Sequence, residues 1–168
     1  MILHAGLIAR LDPAGWRGVL IEGASGSGKS DLALRALDAG WALVADDRTL
    51  IWTSGGRLYG RAAPALAGLV EARGLGVLGE RSRPFAPISL DIRCVEAASV
   101  ERMPEFQTRI LLDVEIPRLD LVAKEASATA KLTRALSRLG LGAHPAYQAC
   151  RVGSPRPAAG GDPVRFRE

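Results

Sequence analysis

Apolar positions along this chain fall into two kinds of run: short, nearly continuous blocks, and longer stretches with apolar residues three and four apart. The first kind predicts strands and the second amphipathic helices. "ILHAGLIARL" reads as a strand that pairs with "GVLIEG", the two joined by a turn at "DPAGWRG". "KSDLALRALDAG" reads as a helix closed by Gly40, and "WALVADD" as a buried strand ending in two acids. "RTLIW" and "RLYG" flank "TSGG", which predicts a hairpin. "APALAGLVEARGLGVLGE" starts as a short helical or irregular segment and runs through glycines. "APISLDIRCV" and the proline-marked "LDVEIPRLDLV" are further strands. "AKEASATAKLTRALSRLG" predicts a helix, with Lys124 and Ala128, then Leu132, Leu136 and Leu139, at helical spacing and Gly140 as its stop. No internal repeat is present. From Arg151 proline and glycine rise and apolar content falls, so the expected division is a folded domain over 1–145 and a flexible tail over 146–168.

A chain of 168 residues with 48% hydrophobic residues can bury the core of one domain. Its formal charge of +4 comes mostly from arginines scattered between Arg10 and Arg167, with no dense run and little aromatic interleaving, so nucleic acid is not an expected partner. Cys94 and Cys150 stand far apart with no CxxC, which predicts two free thiols rather than a redox or zinc site. No stretch approaches the roughly 20 apolar residues of a membrane span, so no membrane partner and a cytoplasmic location are expected.

Chemistry concentrates first at "GASGSGKS", which fits G-x-x-x-x-G-K-[ST] from Gly23 through Ala24, Ser25, Gly26, Ser27 and Gly28 to Lys29 and Ser30. Glycines let successive backbone N–H groups face one concavity suited to phosphate. Lys29 would neutralise the outer phosphates and Ser30 would hold Mg²⁺ through its hydroxyl. A predicted strand precedes the loop and a predicted helix follows it, as the motif requires. A nucleoside triphosphate is therefore the expected ligand. Asp46 and Asp47 end the next strand. Adjacent strand side chains point opposite ways, so one could face the terminal phosphate while the other makes a supporting hydrogen bond. The alternative is that both are solvated turn acids.

A further motif, E-x-R-G-L-G at Glu71, Arg73, Gly74, Leu75 and Gly76, completes an ordered set with the N-terminal His4, the P-loop and "VADD". In that order the set resembles the HPr kinase/phosphorylase family over roughly residues 1–120, in a short form carrying only the C-terminal catalytic domain. The resemblance implies an α/β, P-loop-containing kinase domain of the HPr kinase and phosphoenolpyruvate carboxykinase type. It implies an ATP- and Mg²⁺-dependent kinase that phosphorylates a serine of HPr, a small phosphocarrier of the sugar phosphotransferase system. By the same resemblance Lys29 is a catalytic phosphate contact, Asp47 the proton acceptor, Ser30 and Glu71 the Mg²⁺ ligands, and His4 the active-site histidine. "ERMPE" resembles the segment with a further catalytic arginine, here Arg102. Full-length members usually form hexamers, so a homo-oligomer of open size is expected. The family's P-V-R-P-G-R type segment, associated with removing phosphate from HPr, is replaced after "VEIPRLDL" by "VAKEASATAK", which argues against the phosphorylase half of the activity. Two other readings stay open: a small-metabolite P-loop kinase, and a non-catalytic ATP-sensing module in which Asp47 and His4 would be dispensable.

Overall fold

A computed structural model describes residues 1–13 and 15–139. Its strands are β1 (Ile2–Leu3), β2 (Gly6–Asp12), β3 (Gly15–Gly23), β4 (Ala42–Ala45), β5 (Thr49–Ser54), β6 (Arg57–Ala62), β7 (Leu69–Ala72), β8 (Gly76–Gly79), β9 (Ala86–Cys94), β10 (Gln107–Leu111) and β11 (Val114–Leu121). Among the described residues, the α-helices α1 (Lys29–Asp38) and α2 (Ala128–Leu139) give a mixed α/β fold.

The main sheet runs β1-β5-β6-β9-β3-β2-β4, and β11 joins it along β9 with β10 outside it. Strand β9 divides its edge: Ala86 and Pro87 pair antiparallel with β6, whereas Asp91–Cys94 pair in parallel with β11. Both faces are covered, which is why the central strands read as unbroken apolar runs. On one face Ile8, Val19, Ile21, Leu90 and Ile92 meet Leu32 and Ala36 of α1 and Leu132 and Leu136 of α2. On the other, Leu7, Leu20, Val44, Ile51, Leu58 and Ile88 form a second core where the sheet folds over itself. The outer edge of β4 is covered by residues 81–83, whose backbone bonds Leu43 in both directions.

The predicted β2–β3 pairing, helix α1 with Gly40 beyond it at φ +85, buried β4 and the β5–β6 hairpin are all present. Four boundaries differ. "ILHAGLIARL" is two strands, because β1 bonds to β5 while β2 bonds to β4 and the chain must step across at His4 and Ala5. The first turn is shorter than "DPAGWRG", since Trp16 and Arg17 already pair with Leu11 and Arg10. The short helical start expected before "LVEARGLGVLG" is present at Pro64–Leu66, but the glycine stretch after it forms a separate hairpin, β7–β8, absent from the predicted elements. The segment before "LDVEIP" adds β10, joined to β11 by Leu112 and Asp113, both at positive φ, a two-residue turn that matches strand twist.

Helix α2 starts at Ala128, four residues later than its spacing predicts. Residues 122–127 are held instead as turns, with the Glu125 N–H on the Val122 carbonyl and the Ala128 N–H on the Glu125 carbonyl. The predicted stop at Gly140, the tail over 146–168 and Cys150 lie outside the described residues. Cys94 is a free thiol, and burial pushes its pKa up to about 11. Among the described residues no helix is long and apolar enough to cross a membrane.

Candidate active site

The P-loop leaves β3 at Gly23 and enters α1 at Lys29, so the fold delivers the strand–loop–helix order the motif needs. Two glycines are compulsory here. A Cβ on Gly23, at φ +152, would stand 2.7 Å from Ser27 Oγ and 2.8 Å from the Cys94 carbonyl oxygen. Gly28 caps α1 in the left-handed region at φ +96, where an L side chain is disfavoured. Lys29 Nζ donates to the carbonyls of Gly23 and Ala24, at 3.0 and 3.2 Å, and so lies across the mouth of the loop.

A cleft of about 510 Å³ opens over this loop. Ser25, Gly26, Gly28, Lys29 and Ser30 line one side of it. His4, Asp46, Asp47, Glu71 and Arg73 enter from three other segments. Gly23, Ala24 and Ser27 form the loop without lining the cleft, and Ser27 Oγ is buried beneath it.

The two acids after β4 do separate work. Asp46 accepts the Ser30 hydroxyl at 3.3 Å and the Glu71 backbone N–H at 3.0 Å, so one carboxylate ties the P-loop to β7. Burial pushes its pKa up, opposed by the hydrogen bonds from Glu71 and Ser30. Asp47 turns the other way. The Arg48 N–H donates to the Asp46 carbonyl at 2.7 Å, closing a three-residue turn with Asp47 at φ +63 in its centre. That strained conformation aims its carboxylate at His4, whose Nε2 lies 3.3 Å from Oδ1. The step from β1 to β2 and the step from β4 to β5 occur side by side, which is how residues 43 positions apart meet. Thr49, fully buried, locks that crossing by donating its hydroxyl to the Ala5 carbonyl at 2.7 Å.

Ser30, Asp46 and Glu71 offer hard oxygen donors on the cleft, a set that suits Mg²⁺. Among the described residues no three His, Cys, Asp or Glu side chains converge as a ready metal cage. A cation here would share its shell with phosphate oxygens and water, the usual habit of Mg²⁺.

Beneath the loop, Glu22, the residue before Gly23, is paired with Arg109 and, at 3.1 Å, with Arg118. Both arginines also reach the fully buried Asp91, Arg118 Nε at 2.9 Å and Arg109 at 3.3 Å. This quartet ties β3, β9, β10 and β11 together where the P-loop begins. Burial pushes the Asp91 carboxyl pKa up and the Arg118 charge opposes it.

Of the residues predicted from sequence, His4, Lys29, Ser30, Asp47 and Glu71 come together, and Arg102 does not. It lies exposed between β9 and β10 and is not among the residues lining the cleft, since the short "ERMPE" match carried no information about where that loop travels. Of the two acids, Asp46 makes the supporting hydrogen bonds, to Ser30 and to the Glu71 N–H, partners the sequence did not name; Lys124, read from spacing as part of a helix, also lines the cleft.

A family model for the HPr Serine kinase C-terminal domain matches residues 11–149. The HPr kinase/phosphorylase of Xylella fastidiosa is 35% identical over 137 residues, covering 73% of this chain and 43% of that protein. The HPr kinase/phosphorylase of Neisseria meningitidis is 46% identical over 88 residues, covering 48% of this chain and 28% of its own. The chain thus spans less than half the length of these curated relatives. Among solved structures, the Hpr(Ser) kinase/phosphatase from Coxiella burnetii superposes with a TM-score of 0.71 at 22% identity, over 82% of this chain and 94% of that one, a likeness of fold.

Proposed function

The chain belongs to the HPr serine kinase C-terminal domain family, and from that premise we propose that it transfers the γ-phosphoryl group of ATP to a serine of an HPr-like phosphocarrier protein. The observation that carries this reading is the division of labour between the two acids. Asp46 is tied to Ser30 and β7, which leaves Asp47, with His4 beside it, to face an acceptor hydroxyl at the cleft. Phosphoryl transfer needs charge neutralised on the phosphate oxygens and an acceptor held in line. Lys29 is positioned for the first task, exchanging its loop carbonyls for phosphate oxygens when nucleotide enters. Ser30, Asp46 and Glu71 would hold Mg²⁺, which when bound neutralises phosphate charge. A serine hydroxyl is a weak nucleophile until a carboxylate takes its proton, and Asp47 is the group we assign to that step. His4 orients Asp47 through the 3.3 Å contact.

The forward reaction is proposed to dominate. Phosphorolysis requires a second anion beside the phosphoserine, and among the described residues the segment after β11 brings Lys124 to the cleft and no arginine. The protein is further proposed to act in the cytoplasm, as a homo-oligomer. Incubation of the full chain with γ-labelled ATP, Mg²⁺ and an HPr-like phosphocarrier should place label on one carrier serine. Label on a small metabolite would favour a metabolite kinase, and ATP binding without any transfer would favour a sensing module. Formation of pyrophosphate from phosphoserine carrier and inorganic phosphate, at a rate matching the forward reaction, would overturn the directional claim.

A further inference from the structure

We propose that Lys124 is a second phosphate-binding cation of the cleft, brought against the P-loop by the segment that follows β11, and that it contributes to holding nucleoside di- and triphosphates. This rests on reading the cleft as an ATP site.

Three observations support it. The first is position. Lys124 follows β11 and lines the cleft, and its Cγ lies 3.2 Å from where a Cβ on Gly28 would stand. Its stem therefore lies along the residue at which the loop becomes helix α1, the point where phosphate meets the first backbone N–H groups of a P-loop.

The second is that this position is built. Arg35 of α1 donates to the carbonyls of Ala123 and, at 3.1 Å, of Glu125, one on each side of Lys124. Asp31 steadies the guanidinium with bonds of 3.0 and 2.6 Å. Ala123 is buried. The helix that starts at Lys29 thus also grips the backbone around Lys124, and the two lysines keep a common frame.

The third is charge. Lys29 has carbonyl partners, but the ammonium of Lys124 has no ion pair among the described residues. The acids nearest it in sequence or along the helix are occupied: Glu125 by Lys131 and Ser127, and Asp31 by Arg35. The cleft is lined by Asp31, Asp46, Asp47 and Glu71 against Lys29, Arg73 and Lys124. With Asp31 neutralised by Arg35, three carboxylates face three cations. Without Lys124 the acids would be in excess around a site meant for a polyanion.

The test is a charge series on the full chain, with binding of Mg²⁺-ADP and Mg²⁺-ATP measured by calorimetry. Lys124→Ala should weaken both by about five- to tenfold, since the contact is charge-assisted but solvent-accessible. Lys124→Arg should bind within about twofold of the parent, and Lys124→Glu should lose more than the alanine variant. Arg57→Ala, which removes a like charge at the exposed β5–β6 hairpin outside the cleft, should change neither affinity, and melting without nucleotide should be unaltered across the series. Parent-like affinity in both Lys124→Ala and Lys124→Glu, with Lys29→Ala still impaired, overturns the assignment of Lys124 and leaves the ATP site standing. A parent chain that binds neither nucleotide overturns both.

Discussion

Asp47 and His4 meet at 3.3 Å, yet their side chains are 57% and 63% exposed, and that exposure decides how their loss should divide. A solvent-screened pair of this kind is worth at most about 1 kcal/mol, because water competes for both groups. If His4 only orients the carboxylate, His4→Ala should slow phosphoryl transfer by about fivefold, since 1.36 kcal/mol corresponds to tenfold. Asp47→Asn removes the proton acceptor itself and should cost about 10²-fold or more. Asparagine also tolerates the left-handed backbone that Asp47 adopts at φ +63, so the loss should be chemical rather than conformational. The assay is single-turnover transfer from γ-labelled ATP at saturating nucleotide, with ATP affinity measured in parallel. Affinity should stay within about twofold of the parent in both variants. A His4→Ala loss as large as that of Asp47→Asn would refute the division, and would make His4 a group acting on the reacting atoms. Equal, mild losses at both positions would refute the kinase assignment of Asp47.

Lys29→Ala should abolish turnover and weaken ATP binding by calorimetry, because the loop carbonyls it now bonds offer no replacement charge. Glu71→Gln should raise the Mg²⁺ concentration needed for half-maximal transfer, while an unchanged metal titration would remove Glu71 from the metal shell. Gly23→Ala should destabilise by about 3 kcal/mol in urea unfolding, from backbone strain plus contacts at 2.7–2.9 Å. Gly26→Ala, at φ +79 with nothing within 4 Å, should cost only about 1 kcal/mol. Asp91→Ala should destabilise by about 3 kcal/mol, because Arg109 and Arg118 would keep only Glu22 between them. Burial lifts the native Asp91 pKa above that of the unfolded chain, so its contribution to stability falls as pH rises through the native value, a slope that Asp91→Asn should flatten.

The P-loop was legible because its chemistry is contiguous: eight residues, each with a backbone or side-chain task, between a strand and a helix that their own periodicity announces. Helix α1 and the β5–β6 hairpin were legible for the same local reason, a helical repeat and a Gly-Gly turn. Hydrophobic alternation, however, does not encode where a strand changes partner. It runs without interruption through "ILHAGLIARL", whereas the fold breaks that run at His4 because β5 and β4 present two different edges. The meeting of His4 with Asp47, the tie from Ser30 through Asp46 to Glu71, and the absence of Arg102 from the cleft are consequences of sheet register between distant segments. Lys124 shows the same limit from the other side. Helical spacing placed it on α2, but Arg35, reaching across from α1, takes the backbone carbonyls on either side of it and holds the turn against the P-loop. Local sequence determined which residues can bind phosphate, and only the tertiary structure, through long-range pairing and packing on both faces of one sheet, decided which of them share a cleft.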